Sequence, residues 1–499
     1  MFTININGNI SYAEAPVLLS TLLAPTHTVE MPCGGRKNCG KCKISAKGSL
    51  SPISDTERRI LTEEELSSGI RLACCTTAIG DCVISSSTVA KNAINTDGEL
   101  PDMVLRPAFN KYGIAIDIGT TTLAARLYTV NGALLSTDSE LNPQKGFGAD
   151  VISRIEAALD GKATELATVI RDGLNGIIAN LAKKADIDSK EIDGAVITGN
   201  TVMLHLLTET STEPLSHAPF NAERLFGETV TAEELSLSSL APQTPIYLPR
   251  CAEAFVGADI TTALLASGIS GRTEPSILVD IGTNGEMALV KDGEILLCST
   301  AAGPAFEGAG LSMGMNGKTG AIDKVTVENG ELTAHVIGET EPMGICGSGV
   351  VDAVAALLET EVLDETGCLD DDEAVISAPV VLTQEDIRMV QLAKSAIHAG
   401  LRTLMHYAKL DCNDISELCV AGGFGSYLDI RNAGKIGLIP EELVPRVKIL
   451  GNAALTGAAM MLLNTGLRGI SEKTIIDSKV ITLSSNPVFT EEYMERMFF

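Results

Sequence analysis

The chain carries at residues 113–122 the stretch Gly113-Ile-Ala-Ile-Asp-Ile-Gly-Thr-Thr-Thr, and its tetrapeptide Asp-Ile-Gly-Thr occurs twice, at Asp117–Thr120 and at Asp280–Thr283. In both copies an apolar run precedes the aspartate, and a hairpin pair follows, Asn-Gly at Asn131 and Asp-Gly at Asp292. This pattern predicts a buried strand, a Gly-Thr turn, a second strand, a tight hairpin and a third strand. Two copies predict two facing lobes that could grip a nucleotide phosphate chain and its metal.

Each turn offers backbone N–H groups and hydroxyls to phosphate oxygens, because glycine has no side chain to obstruct approach. Asp117 and Asp280 are predicted to bind Mg²⁺ or to orient an attacking water, and Glu286 is the third catalytic candidate. The predicted phosphate contacts are Gly119, Thr120, Thr121, Thr122, Gly282, Thr283, Asn284 and Gly285. A single copy would most often be a plain β-turn, whereas two copies predict nucleotide binding.

A third glycine turn follows an apolar run near the end of the duplicated region and is predicted to receive the adenosine. Its residues are Gly422, Gly423, Phe424 and Gly425. Lys394, on a predicted helix, is a further candidate contact for adenine or ribose, although most such lysines are simply solvated. Ser312–Thr319 ends like a P-loop but begins with serine and follows no clear buried strand, so a glycine-rich loop is the better interpretation.

Four cysteines near the start of the chain have the spacing of a metal centre. Cys33, Cys39 and Cys42 lie in one loop, and Cys74 follows at a distance. A [2Fe-2S] cluster takes four thiolates, and the glycines of the loop would let it turn tightly around the cluster. Zinc or free thiols are the alternatives, but a zinc ribbon usually shows two Cys-x-x-Cys knuckles and only one is present. Cys75, adjacent to Cys74, is interpreted as a buried neighbour.

Composition and charge exclude some classes of binding partner and indicate the cellular compartment. The chain has 499 residues, 45% of them hydrophobic, and a formal net charge of −27, which argues against nucleic acid and anionic membranes as main partners. The first residues lack a signal-peptide pattern, and no stretch of 18 apolar residues is found. We therefore expect a cytoplasmic protein, in which clustered cysteines more often bind metal than form disulfides.

The chain divides into blocks. Residues 1–88 are predicted to form a compact α+β domain, with a helix over Ala13–Leu23, and the polar residues 89–110 a linker. Residues 111–275 are predicted to form the first lobe of the duplicated body. Residues 276–499 are predicted to form the second lobe, with a strand from Val480 and a closing helix over 490–499.

The cysteine stretch Cys33–Cys42 with Cys74 resembles a [2Fe-2S] ferredoxin of the β-grasp fold, and its five-residue first gap is closer to the adrenodoxin type. The two phosphate turns and the adenosine turn resemble the actin, Hsp70 and sugar-kinase superfamily. The predicted fold class is thus a β-grasp [2Fe-2S] ferredoxin domain followed by a duplicated two-lobed α/β domain of the actin/Hsp70/sugar-kinase type.

Together the two modules resemble the ATP-dependent reductive activators of corrinoid proteins, and segments such as Phe255–Asp259 and Ala301–Gly308 fit that family. The resemblance implies reduction of a methyltransferase's Co(II) corrinoid protein to Co(I), with a [2Fe-2S] cluster, ATP and Mg²⁺. It also implies an upstream low-potential electron donor and allows a homodimer. The interval between ferredoxin and ATPase is shorter than in longer members of the family.

Two other functions stay open at this stage. The chain could be a plain electron carrier whose nucleotide-binding body recognises a partner, or a small-molecule kinase with a redox domain. Activators of radical dehydratases share the ATPase fold, but their [4Fe-4S] cluster bridges two subunits, which the pattern from Cys33 to Cys74 fits poorly.

Overall fold

Each Asp-Ile-Gly-Thr motif joins the first two, mostly buried strands of a meander in the computed structural model. The structure describes residues 2–23, 29, 31, 33–86, 98, 100–308, 310–423 and 427–499. The chain divides into two compact units, of which the first contains residues 1–91, 141–174 and 205–220 and the second contains the rest. The grouping of 141–174 and 205–220 with the N-terminal block was not predicted, and the proposed domain boundaries stay predictions.

In its described residues the N-terminal block is a mixed sheet with three short helices. Its strand order is β2-β1-β6-β4-β5, with β3 on β6. The strands are β1 Phe2–Ile6, β2 Asn9–Ala13, β3 Val17–Leu18, β4 Lys43–Leu50, β5 Ile70–Leu72 and β6 Thr77–Ser85, and the helices are α1 Leu19–Leu23, α2 Asp55–Ile60 and α3 Glu63–Ser68.

The predicted helix over Ala13–Leu23 is wrong in its first half. Only Leu19–Leu23 is helical, and Val17 pairs with Ala78 of β6 as part of β3. Pro16 explains the difference, because a proline disfavours helical geometry in the residue before it and lacks the N–H that a helix interior needs. The helix therefore begins at Leu19, directly after strand β3.

Helices α4 Val151–Ala157 and α5 Ala163–Lys184 follow in sequence after the first meander. The first sheet of the second unit has the order β11-β12-β10-β7-β8-β9. Its strands are β7 Tyr112–Ile118, β8 Thr122–Thr129, β9 Leu134–Leu141, β10 Ile192–Gly199, β11 Glu228–Thr231 and β12 Pro245–Leu248, accompanied by helices α6 Thr201–Leu207 and α7 Ala258–Ser267.

The second sheet repeats this plan. Its order is β22-β21-β13-β14-β15-β23, so an antiparallel meander again continues into two parallel strands. Its meander consists of β13 Ser276–Ile281, β14 Gly285–Lys291 and β15 Glu294–Thr300. Two small sheets follow, with β16 Ala321–Glu328, β17 Glu331–Val336 and β18 Gly344–Ile345 in one and β19 Glu373–Ser377 and β20 Val380–Thr383 in the other. The last strands are β21 Glu417–Ala421, β22 Val447–Gly451 and β23 Lys479–Val480.

The remaining helices cover the second sheet and join the two sheets. They are α8 Gly347–Glu359, α9 Gln384–Ala408, α10 Ile430–Lys435, α11 Ala453–Leu463, α12 Gly466–Ile476 and α13 Pro487–Glu495. Helix α11 packs closely on α7, since a Cβ at Gly457 would overlap the carbonyl of Thr262. Among the helices of the described residues, none is both long enough and apolar enough to cross a membrane.

The closing helix begins earlier than predicted and ends before residue 499. It covers Pro487–Glu495, because the side chain of Asn486 accepts from the N–H groups of Val488 and Phe489 and proline occupies the first helical position.

Candidate functional site

Each phosphate turn is closed by a backbone hydrogen bond from its glycine, to the third residue onward in the first turn and to the second residue onward in the second. In the first turn the N–H of Gly119 donates to the carbonyl of Thr122 at 2.9 Å, and in the second the N–H of Gly282 donates to the carbonyl of Asn284 at 3.0 Å. Each turn therefore closes on itself, and its threonine side chains lie at the end of the first strand of each meander.

The structure brings the two turns together. Thr121 Oγ1 lies 3.2 Å from Thr283 Oγ1, and both hydroxyls donate to the carboxylate of Glu307. Residues predicted from two distant copies of one motif thus meet at one place in the second unit. This is the arrangement in which a phosphate chain could be held from both sides.

Two asparagines support the first turn in the same way. Asn200 follows β10, where its side-chain oxygen accepts from the N–H of Met203 and its amide donates to Thr120 Oγ1 at 3.1 Å. Asn452 follows β22, where its oxygen caps α11 and its amide donates to Asp117 Oδ2 at 3.0 Å. In each asparagine the side-chain oxygen caps the start of a helix, while the side-chain amide positions a residue of the turn.

Four carboxyl groups surround the turns; Glu286 is buried, and Asp117, Asp259 and Asp280 are half-buried. Loss of solvation raises the pKa of Asp117 to about 7 against the lowering effect of Asn452, and raises the pKa of Asp259 to about 6. Loss of solvation, followed by the charges of Asp259, Asp117 and Glu307, raises the pKa of Asp280 to about 8. Burial, followed by the charges of Asp259 and Asp280, raises the pKa of Glu286 well above its usual value. Like charges this close are costly without a cation.

Sequence reasoning missed four of these residues as site residues. Asn200, Asp259 and Glu307 lie in segments noted only for family resemblance, and Asn452 was not singled out. A usable signal was present for the asparagines, because each stands between a strand and a helix, where an N-cap is expected. Glu307 carries no such local signal.

The predicted adenosine turn lies partly within the described residues. Gly422 has φ +100°, and a Cβ there would lie 2.7 Å from Asp280 Oδ1, so only glycine fits against the carboxylate. A Cβ at Gly423 would meet nothing within 4 Å. Phe424 and Gly425 lie outside the described residues, and adenosine binding at this turn stays a prediction.

Lys394 lies on α9 and is almost fully buried. Its ammonium group donates to the carbonyl of Phe498 and lies 4.9 Å from the ring centroid of Phe499. Burial lowers its pKa to about 7, and the charge of Arg496 adds to this. These contacts are with the closing segment of the chain, and the predicted contact with adenine or ribose stays a prediction.

The P-loop-like stretch is followed by strand β16, starting at Ala321. A P-loop needs a helix whose N-terminal N–H groups face the phosphate, so this loop lacks that geometry. The N–H of Ser312 donates instead to Asp386 at 2.7 Å.

The four predicted cluster cysteines form two pairs. Cys42 Sγ and Cys74 Sγ are 3.3 Å apart, because Lys43 of β4 pairs with Leu72 of β5 and the N–H of Ala73 donates to the carbonyl of Cys42. Cys33 and Cys39 are joined by a side-chain hydrogen bond and are half-buried. No three His, Cys, Asp or Glu side chains of the described residues are grouped to hold a single metal ion.

The cysteine loop depends on glycine. Gly34, Gly35 and Gly40 have φ of +58°, +85° and +66°, a region that other residues rarely adopt. A Cβ at Gly34 would overlap the carbonyl oxygen of Phe147, so the loop also passes too close to that backbone for any other residue.

The remaining two neighbouring cysteines lie differently. Cys75 Sγ is 3.8 Å from Cys74 Sγ and half-buried, while Cys82 is buried in the core on β6. Cys74 is therefore the better placed partner for Cys42.

Two repeated sheets with paired phosphate turns define a nucleotide-binding protein of the actin and sugar-kinase type. A family model described as the C-terminal, ASKHA domain of RACo matches residues 274–499, and one described as the RACo middle region matches residues 112–272. The corrinoid activation enzyme RamQ of Eubacterium limosum is 38% identical over 420 residues, covering 78% of this chain and 70% of that protein. The chain belongs to the RACo family of corrinoid-activating enzymes.

Two further comparisons agree. The [Co(II) methylated amine-specific corrinoid protein] reductase of Methanosarcina barkeri is 26% identical over 384 residues, covering 70% of each chain. The solved structure of a reductive activator for corrinoid, iron-sulfur protein matches with a TM-score of 0.73 and 27% identity, covering 100% of this chain and 98% of that one. The predicted fold class and family are confirmed.

Proposed function

We propose that this protein uses ATP to drive reduction of the Co(II) corrinoid cofactor of a methyltransferase's corrinoid protein to Co(I), with electrons passing through a [2Fe-2S] cluster. The likeness to a reductive activator along the whole chain carries the proposal. The name of the Methanosarcina barkeri relative, which specifies a Co(II) corrinoid protein, supports the choice of substrate.

The contact between the two phosphate turns supports ATP as the nucleotide cofactor. Thr121 and Thr283 lie where both could donate to one phosphate group. Mg²⁺ is usually held by one or two carboxylates together with phosphate oxygens and water. Asp117 and Asp280 are the carboxylates that we assign to it, because their crowding with Asp259 favours a divalent cation.

The pairing of thiols supports a two-iron cluster. Each iron of a [2Fe-2S] cluster takes two protein ligands, which the pairs Cys33 with Cys39 and Cys42 with Cys74 would provide. When bound, such a cluster supplies one-electron transfer. The half-buried pair of Cys33 and Cys39 lies nearer to solvent than the buried pair, which suits exchange with a partner protein.

The energetic problem is that Co(II) accepts an electron only at very low potential. ATP can help only if its bound forms differ in affinity for the two states of the corrinoid partner. Lobe closure on ATP that alters the lower ligation of the cobalt would meet this requirement. A separate low-potential donor must supply each electron, and a homodimer is a further expectation from the family.

The experiment separates an ATP-driven activator from a plain electron carrier. The Asp280→Asn variant should retain its iron and its visible spectrum but lose the ATP-dependent part of Co(II) reduction. Asp292→Asn, at the exposed hairpin of the same meander, is the matched control and should behave like the wild type. Unchanged ATP-dependent reduction in Asp280→Asn would refute the assignment of the cleft.

A further inference from the structure

One carboxylate connects the two phosphate turns. Glu307 Oε1 accepts from Thr283 Oγ1 at 2.9 Å, and Glu307 Oε2 accepts from Thr121 Oγ1. A threonine hydroxyl has a single proton. While both protons point at Glu307, neither hydroxyl can donate to a phosphate oxygen, which is itself only an acceptor.

The backbone holds Glu307 in this position. It ends the short 3₁₀ turn Pro304–Glu307, whose residues Ala305 and Phe306 are buried in the core of the second lobe. The N–H of Gly303 donates to the carbonyl of Thr283 at 2.9 Å, which ties the turn to the second phosphate motif. Gly308 follows with φ +70°, and a Cβ there would overlap the backbone of Met315. The carboxylate is thus presented from an anchored segment.

We propose that Glu307 competes with the terminal phosphate of the nucleotide for Thr121 and Thr283, and so sets the discrimination between ATP and ADP. This inference rests on the proposed binding of a nucleotide between the two turns. A phosphate that takes both hydroxyls must displace Glu307, and two negative groups at one place repel each other. The γ-phosphate, at the far end of the chain, is the group that meets this repulsion, whereas ADP leaves the Glu307 bridge in place.

The competition gives the two lobes two alternative connections. With ATP, the terminal phosphate joins Thr121 to Thr283, and with ADP the carboxylate of Glu307 joins them. The nucleotide-bound forms therefore differ at the contact between the lobes, which is the difference that coupling to a partner requires.

The test is nucleotide binding to the full-length protein, measured by calorimetry with Mg²⁺ and either the β,γ-imido analogue of ATP or ADP. Glu307→Gln keeps the shape of the side chain and removes its charge. We expect its affinity for the imido analogue to rise about tenfold and its affinity for ADP to change less than about twofold, since a tenfold change corresponds to about 1.4 kcal/mol.

Two further variants serve as controls. Glu294→Gln removes a charge from the exposed hairpin end of β15 and should change neither affinity. Glu307→Asp keeps the charge but shortens the reach, and it should gain less affinity for the imido analogue than Glu307→Gln. An equal gain in Asp and Gln variants would show that charge is not the cause and would overturn the proposal.

The remaining outcomes are distinct. If the wild type binds neither nucleotide, the proposed function fails. If the wild type binds both nucleotides, and Glu307→Gln either changes the two affinities equally or lowers the affinity for the imido analogue, the proposed role of Glu307 is wrong. The proposal of nucleotide binding then still stands. Far-ultraviolet circular dichroism of each variant excludes misfolding as the cause.

Discussion

Replacing Glu57 with alanine should detach the segment that carries Cys74, a proposed cluster ligand, from its support. Glu57 is fully buried, and Arg71 donates to it through Nε at 2.8 Å and through a terminal nitrogen at 3.1 Å. The same carboxylate accepts from the N–H of Leu72 at 3.1 Å and from Thr76 Oγ1 at 3.0 Å. Those two donors flank Cys74, so one side chain positions both sides of a proposed ligand.

The expected loss is large because Arg71 would be left buried without its partner. Breaking a buried ion pair on one side costs about 3–5 kcal/mol. The pKa of Glu57 gives a similar free energy. Burial alone would raise the pKa of Glu57, but hydrogen bonds from Arg71, Ser54 and Leu72 outweigh it and lower the pKa to about 2. Relative to about 4.3 in an unfolded chain, this corresponds to about 3 kcal/mol.

Glu65 provides a matched control. Glu57 and Glu65 are both the third residue of a helix with a capping box, closed by Ser54 and Thr62. The partner of Glu65 is Lys43, at 2.6 Å in an exposed pair, which is worth about 0–1 kcal/mol. Since both alanine variants lose a capping box, the difference between them reports the buried contacts of Glu57 with Arg71, Leu72 and Thr76.

The assay follows the visible absorbance of the cluster during guanidinium unfolding of the full-length protein. This signal reports only the N-terminal block, which matters because a chain of several units does not unfold in one step. Glu57→Ala should lose its absorbance at much lower denaturant than Glu65→Ala. The folded pKa lies below the unfolded one, so the advantage of the wild type over Glu57→Ala should be full above about pH 4.3 and fall away toward pH 2. This pH series is followed by amide hydrogen exchange of β4 and β5, because acid destroys an iron–sulfur cluster and with it the visible signal. Equal midpoints for the two variants would refute the reasoning.

Three more outcomes are expected. Cys74→Ser should lose iron and visible absorbance, whereas Cys75→Ser should keep both. Iron retained in Cys74→Ser would show that the fourth ligand is a residue other than Cys74. Gly34→Ala should bind less iron per chain than Gly8→Ala, because both have positive φ but only a Cβ at Gly34 overlaps a neighbouring carbonyl; equal iron content would count against the loop geometry. Burial lowers the pKa of Lys394 to about 7, so the unfolded state binds an extra proton between about pH 7 and 10.4. The stability of the wild type relative to Lys394→Met should therefore rise with pH in that range, by up to about 5 kcal/mol, and a flat difference would contradict this.

Local patterns predicted the parts of the fold that depend on neighbouring residues. The turn at Asp117, its copy at Asp280 and the hairpins after them follow from strand alternation and from Gly and Asn at tight turns. The duplication also predicted two equivalent meanders, which the strand orders of the two sheets show. The helix over Ala13–Leu23 failed because pairing with β6 competes with helix formation.

Such local patterns could not predict contacts between residues that are far apart in the sequence. Asn452 reaches Asp117 across 335 positions, and Glu307 reaches Thr121 across 186. Each contact depends on how sheets and helices pack, which periodicity does not encode. Lys394 shows the same limit, since its helix was predicted but its partner, the closing segment at Phe498, was not.

Strand register distinguishes two adjacent cysteines that the sequence could only rank. Pairing of Lys43 with Leu72 brings Cys74 to 3.3 Å from Cys42 and leaves Cys75 to one side. Because Cys74 and Cys75 are consecutive, the pairing register of β4 with β5 decides which of the two lies beside Cys42.

The central claim is that ATP drives an electron to the cobalt, and it can be tested in one anaerobic measurement. The reduced protein is mixed with a Co(II) corrinoid protein, and the Co(I) absorbance is followed with Mg-ATP, with the β,γ-imido analogue and without nucleotide. We predict rapid accumulation of Co(I) with Mg-ATP and little without nucleotide. Equal rates and amounts of Co(I) with and without Mg-ATP would contradict the account.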